Sequence, residues 1–580
     1  MPLLVLLNMK NFCAKSLGFF FLWFFSCSTP ASDPAVRIRI PQDPESLHPL
    51  SYGNAIALQL LNLVHQSLLT VDFKDKTIKP LLAVDLPSVR VQDSLSFYTY
   101  TIRPEAKWDN GSPITAADVA FTLKLLHSPL LENERWRAQY GFMKDIEYST
   151  ASPTTFTITC TGYSPEMKLM TGDFFVLPAY QLDPEGLLSS IPYRLVRQKH
   201  DSLALTQNFK KFAAFLSSAA IARDTSFVKG SGPYKLTSWS SGRALLLEKK
   251  KNWWAKNLSS QKSGLHANPE KIVYQVVPDN AAALLALKSQ QVDVMDNIPL
   301  VSFQEMQRDP KYRQLFNFYT PSSYDLIFMG MNGEDPLLKD KATRQALAHL
   351  INVPLVVSSL HGGLATPTVG LVHPQEKTFY NSELQPLKFD SQKSIQLLTA
   401  SGWRKSSSGW EKKINGQTRS LKLNLLYRAG NTDFENMALL FQQNASKVGI
   451  PISLQAMESS QINEKLLSRD FDLYFRTLVG NPFSYNLVPL LHTSNAKVGG
   501  ANVTGFGNRQ TDLLLERIAK EERTTEKAIL LKELQQKMQE ESNMVFLYFQ
   551  QSKIVVSKKI DSVVVSALKP GYDVLRFIKK

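Results

Sequence analysis

Apolar and polar residues alternate with a period of two in Val36-Arg37-Ile38-Arg39-Ile40 and again in Tyr98-Thr99-Tyr100-Thr101-Ile102. That is the spacing of a strand with one face against a core. The first run leads into the turn-rich Pro41-Gln42-Asp43-Pro44, and the second is followed by a turn at Asp109-Asn110-Gly111-Ser112-Pro113. The period then lengthens. Thr115-Ala116-Ala117-Asp118 reads as a capping box opening a helix whose apolar face carries Val119, Leu123 and Leu126, with Thr115 and Asp118 satisfying its free amides. Residues 343–351 read as a helix stopped by Pro354, and residues 390–400 as another ended at Gly402. Residues 513–541 are amphipathic, but residues 521–527 break the stripe, which predicts a helix pair packed on a lobe rather than a coiled coil. Repeats and low-complexity stretches are absent, and strands mix with helices in no strict alternation. The fold class is α/β in the broad, mixed α+β sense.

The N-terminus breaks with this pattern. Residues 17–25 form a nine-residue apolar run, too short for a spanning helix of ~20 residues. Lys10 and Lys15 precede it, and Ser26-Cys27-Ser28-Thr29-Pro30 follows. Positive segment, apolar segment, small residue, cysteine is the layout of a bacterial signal peptide ending in a lipobox, with Cys27 as the thiol to be acylated. Phe24 and Phe25 stand where Leu and a small residue are usual, and Met9 makes a more normal start than Met1. Cys13 falls inside the signal peptide and Cys160 is left alone, so neither a disulfide nor a zinc cluster is expected. The strand-like Phe156-Thr157-Ile158-Thr159-Cys160 makes that last thiol a buried structural one.

At 580 residues, with 43% hydrophobic and 20% charged residues, the chain can bury several cores, since single cores stop growing near ~250–300 residues. A net charge of +15 invites a nucleic-acid reading. The distribution excludes it: bases and acids are interleaved, and the longest basic run, Lys249-Lys250-Lys251, is flanked by Glu248 and Trp253. No serine-nucleophile elbow, zinc-protease motif, phosphate-binding loop or paired Cys-x-x-Cys is present. His361 and His373 lack ligand-spaced neighbours and read as surface or packing residues. No catalytic residue, metal or cofactor is expected.

Taken in order, several segments resemble one family, the extracellular solute-binding proteins of family 5. The strongest runs from Tyr100-Thr101-Ile102-Arg103-Pro104-Glu105-Ala106-Lys107-Trp108 through the turn to Ile114 and the capping box at Thr115. Around it lie Ile78-Lys79-Pro80-Leu81-Leu82-Ala83, then Gly230-Ser231-Gly232-Pro233-Tyr234-Lys235-Leu236 with Trp239 and Asn252-Trp253-Trp254. Ala286-Leu287-Lys288 with Val292-Asp293-Val294, Arg344-Gln345-Ala346-Leu347 and Ala400-Ser401-Gly402-Trp403 complete the series.

The resemblance implies a two-lobed, type II-like periplasmic-binding-protein fold with an extra domain on the first lobe. After a signal peptide at 1–27, the first lobe would comprise residues 28–73, 185–277 and 545–580, the extra domain 74–184 and the second lobe 278–544, with a hinge near Val277 and Met544. It implies an exported monomer, in the periplasm or on the outer side of the cytoplasmic membrane and anchored by lipid on Cys27. This protein would capture peptides or peptide-like solutes for an ABC permease complex in the inner membrane, without nucleic acid and without catalysis. A receptor for a metal chelate, sugar derivative or blocked peptide is the alternative, as is a surface sensor without a permease. The family's peptide binders pair an aspartate with the ligand's free α-amine. Counting without gaps from Asp472 puts its place at Asn481, while anchoring on Pro482 puts it nearer Leu478 or Val479; no carboxylate occurs between Asp472 and Asp512. A neutral acceptor there would bind an amine about half as strongly as a charged one. The ligand-binding candidates are Tyr52, Asn54, Arg476, Thr477, Asn481, Phe483 and Tyr485.

Overall fold

The computed structural model describes residues 34–128, 131, 134–198, 207–258, 265–407 and 409–580. The signal-peptide reading, with Cys13 and Cys27, lies outside them. Two large sheets organise the chain. The first has seven strands, in the order Phe316–Tyr319, Ile554–Ser557, Val294–Met295, Ala35–Ile40, Lys271–Val276, Ala244–Lys249, Tyr234–Ser240. The alternating N-terminal strand sits at its centre, parallel to Lys271–Val276, and buries Val36, Ile38 and Ile40. Each such side chain contributes about 1.5–3 kcal/mol on leaving water.

The second sheet has six strands, in the order Ala365–Pro367, Met544–Gln551, Ser322–Met331, Leu473–Val479, Leu423–Arg428, Ile452–Met457. A separate four-stranded sheet, Ser88–Gln92, Leu95–Thr101, Ser152–Thr161, Met143–Ser149, forms the extra domain with the helix Ala116–His127. That helix opens as expected, Asp118 Oδ2 accepting from Thr115 N at 2.9 Å. Cys160 is buried in this domain, and burial pushes its thiol up to about 12.

The chain passes between the two large sheets at residues 320–321 and 552–553, and Ser552 N donates to Pro321 O there (2.9 Å). The boundaries expected at 277 and 544 therefore shift. Val294–Met295 and Phe316–Tyr319 belong to the first sheet because both pair with Ile554–Ser557, and Met544–Gln551 belongs to the second because it pairs along Ser322–Met331. The boundary at 184 shifts as well: Leu188, Tyr193, Val196 and Leu216 share one core with Tyr98, Tyr100 and Phe121 of the extra domain.

Helix ends follow their caps. The helix expected over 343–351 runs Lys341–Ala348, with Asp340 accepting from Ala342 N. Pro354 does not stop it. It sits in the first turn of the next helix, Val353–His361, where its missing N–H has no partner to lose. The helix ended by Gly402 is Ser391–Ala400, capped by Asp390, and the amphipathic stretch is the pair Arg509–Lys520 and Thr524–Glu541.

The family-like segments lock onto one another. Arg103 Nε donates to Leu81 O (2.8 Å), and Lys250 pairs with Asp109 of the turn (2.5 Å). Trp253 and Trp254 both donate from Nε1 to Ser231 O, at 3.0 and 2.9 Å. Trp403 donates to Thr343 Oγ1 (2.9 Å) beside Arg344, whose guanidinium holds Glu541 O and Leu338 O. At Gly232 a Cβ would lie 2.5 Å from Leu63 O, so glycine is what allows this loop to pass the end of the helix Ala55–Val64.

Candidate functional site

The helix Ala55–Val64 begins at Asn54, whose side chain accepts from Ala57 N at 2.8 Å. It buries Leu60, Leu61 and Leu63 and turns Leu58 and Asn62 outward. Opposite it, the strand Ser322–Met331 brings up Tyr324 and Asp325, and the loop after Val479 brings up Gly480 and Asn481, tied back by Gly480 N donating to Tyr324 O (2.9 Å). Between these walls lies a cavity of about 470 Å³, within the range of small-ligand sites. The first-lobe wall continues through His65, Gln66 and the hairpin residues 70–73, and residues 567–575 of the C-terminal segment complete the lining. Both lobes thus contribute to one cleft.

Its electrostatics run against those of the chain. Asp72, Asp325 and Asp573 line it, with Lys569 as the only lining lysine or arginine among the described residues, on a protein of net charge +15. Arg576 bridges Asp72 (2.9 Å) and Asp573 (3.0 Å). Burial pushes the Asp573 carboxyl up while Arg576 opposes it. His65 is fully buried, and burial first, then Lys250 and His48, pull its pKa down to about 3, so the ring is neutral.

At the edge of the cavity the lobes are joined directly. Lys76, in the turn between the paired strands Leu69–Val71 and Ile78–Pro80, donates to Glu376 Oε1 (2.9 Å) and to Tyr324 Oη (3.1 Å), and Tyr324 Oη donates to the same carboxylate (2.5 Å). Glu166 of the extra domain pairs with Lys527 of the second lobe at 3.4 Å and accepts from Tyr485 N at 3.4 Å.

Of the seven candidates, Asn481 and Phe483 line the cavity. Asn481 Oδ1 accepts from Phe483 N (2.8 Å) and Ser484 N (3.0 Å), so its oxygen is engaged in the turn. Tyr485 stands beside an adjoining small hollow and stacks at a tilt on Phe379, 5.2 Å between centroids. Asn54 is a helix cap, and Tyr52 packs on Trp136 and Phe175. Arg476 is exposed and Thr477 half-buried on the strand Leu473–Val479, opposite Phe328 and Ile327 and away from the lining. Sequence reasoning missed Asp325, Lys569, Gln59 and His65. Asp325 left a signal: it is the one charged residue in Ser-Ser-Tyr-Asp-Leu-Ile-Phe-Met-Gly-Met, residues 322–331. His361 and His373 are both buried, and among the described residues no group of three or more His, Cys, Asp or Glu could hold a metal ion.

A family model described as bacterial extracellular solute-binding proteins, family 5 Middle, matches residues 77–497. The oligopeptide-binding protein AppA of Bacillus subtilis is 22% identical over 486 residues, covering 82% of this chain and 79% of AppA. Its solved structure with a nonapeptide superposes with a TM-score of 0.68 at 18% identity, over 94% of this chain and 99% of that one. NikA from Brucella suis, solved with Fe(III)-EDTA, superposes with a TM-score of 0.72 at 19% identity, over 94% of this chain and all of that one (100%). These superpositions establish the two-lobed fold.

Proposed function

The chain belongs to the bacterial extracellular solute-binding proteins of family 5, and from that premise we propose that it is the exported receptor of an ABC importer, capturing peptides between its lobes for a membrane permease. The observation that carries this reading is the cavity walled by the helix Ala55–Val64 on one side and by Tyr324, Asp325 and Asn481 on the other. A solute in that space touches both lobes only when they are together. Its binding energy therefore favours the closed arrangement over the open one by its differential affinity for the two. Closure also removes water and strengthens each polar contact to the ligand. The permease then meets two distinguishable shapes, loaded and unloaded.

Peptides are favoured by the oligopeptide-binding relative, which aligns over most of both chains. The N-terminal order of lysines, apolar run and Ser26-Cys27 supports export and a lipid anchor on Cys27, holding the receptor near its permease.

Native mass spectrometry of the protein purified without stripping tests the ligand class. Adducts whose fragments are amino-acid residues are expected. A single metal-chelate or sugar adduct would overturn the peptide reading while leaving solute capture intact.

A further inference from the structure

We propose that Asp325 and Lys569 form an exchangeable ion pair: the cationic group of the captured solute takes over the Asp325 carboxylate and releases Lys569 to water. This rests on the reading above that the solute is a peptide.

Asp325 pairs opposite Val479 in the antiparallel register of the second sheet, at the point where the chain leaves the strand for Gly480 and Asn481. That places its carboxylate in the cavity wall beside Asn481. The two side chains differ in what they have left to offer. The Asn481 oxygen already accepts two backbone amides. Asp325 Oδ2 faces Lys569 Nζ at 2.9 Å, and Oδ1 is buried with no hydrogen-bond partner among the described residues. The Asp325 side chain is 16% exposed and that of Lys569 54%. So a largely buried carboxylate has one oxygen unserved and the other held by a long, mostly solvated lysine. Leaving a buried acceptor unmade is costly, and an exposed lysine is a weak partner.

The opposite wall holds further unmet polar atoms. Gln59 Oε1 and both ring nitrogens of His65 are buried without partners among the described residues, and both side chains line the cavity. Gln59 Oε1 and the one acceptor nitrogen of the neutral His65 ring join the unserved Asp325 oxygen as places for N–H donors, and an ammonium carries three. The exchange conserves charge, because Asp325 keeps one positive partner throughout and Lys569 gains full hydration.

The test offers solute-stripped protein an equimolar peptide library lacking Lys, Arg and His, with free or acetylated N-termini, so that the terminal amine is the sole cation. Wild type is expected to bind the free form at least roughly tenfold tighter. D325N should erase that preference, and K569M, which removes the competitor, should strengthen binding of the free form. Equal binding of both forms by wild type, a preference surviving in D325N, or K569M weakening the free form would overturn the exchange while leaving peptide capture standing. Binding of neither form would overturn peptide capture and the exchange with it. Melting temperatures are recorded alongside; should D325N fail to fold, wild type and K569M decide the matter.

Discussion

Glu166 and Lys527 meet at 3.4 Å with both side chains almost fully buried, tying the extra domain to a helix of the second lobe across 361 positions of sequence. A buried pair is a poor source of net stability, but removing one member strands the other, at about 3–5 kcal/mol. Because the partners come from opposite sides of the cleft, the stranded charge can regain water by opening. Lys527→Met is therefore expected to favour the open arrangement and to lower ligand affinity, with little loss of secondary structure. Scattering of the variant in the absence of added solute should give a larger radius of gyration than wild type.

A smaller effect is expected from Tyr324→Phe. Its hydroxyl joins Lys76 and Glu376 at the edge of the cleft. The loss of one such hydrogen bond corresponds to roughly a threefold to tenfold drop in affinity. Stopped-flow release of bound solute should show the change as faster dissociation.

His373 makes the fold sensitive to acid. Its Nδ1 accepts from Gln375 N (3.1 Å) and its Nε2 faces Ser322 Oγ (2.8 Å), an arrangement made by the neutral ring. Burial lowers its pKa to about 4, Lys76 adding to the fall and Glu376 opposing it. The unfolded ring takes up its proton near 6.5, so its stabilising contribution is complete above that pH and is lost as pH falls towards 4. The stability advantage of wild type over His373→Gln should shrink by about 2–3 kcal/mol between pH 7 and pH 4. Denaturant titrations of both proteins at several pH values measure it.

Cys160 should be silent towards thiol reagents in the native protein. Its sulfur is buried on the strand Ser152–Thr161, and burial keeps the thiolate from forming, with the pKa up to about 12. Modification is expected only at the rate of unfolding, and fast labelling under native conditions would contradict the packing described for the extra domain.

Local signals carried much of this architecture. The alternation in residues 36–40, the box at Thr115 and Asp118, and the break after Lys520 each depend on neighbours within a few positions, and each element formed where that local chemistry placed it. The lobe boundaries were harder to read. Phe316–Tyr319 and Ile554–Ser557 are joined by a pairing more than 230 positions long, which no local period reveals. Pro354 lies just beyond a helical run, where a stop and the first turn of a following helix give the same local signal; it takes the second role, in Val353–His361. The site was the least legible part. Asn481 and Phe483 were found through a loop near a recognisable strand, whereas Asp325, Gln59 and Lys569 converge only through sheet register and the crossing of the C-terminal segment.

Capture of a solute requires the two lobes to close around it. Small-angle scattering on the protein as purified, then after its solute has been stripped by mild denaturation and refolding, tests this most directly. The radius of gyration should rise on stripping, fall again when the recovered solute is returned, and stay raised when buffer alone is added. Identical radii in all three states would contradict capture by closure.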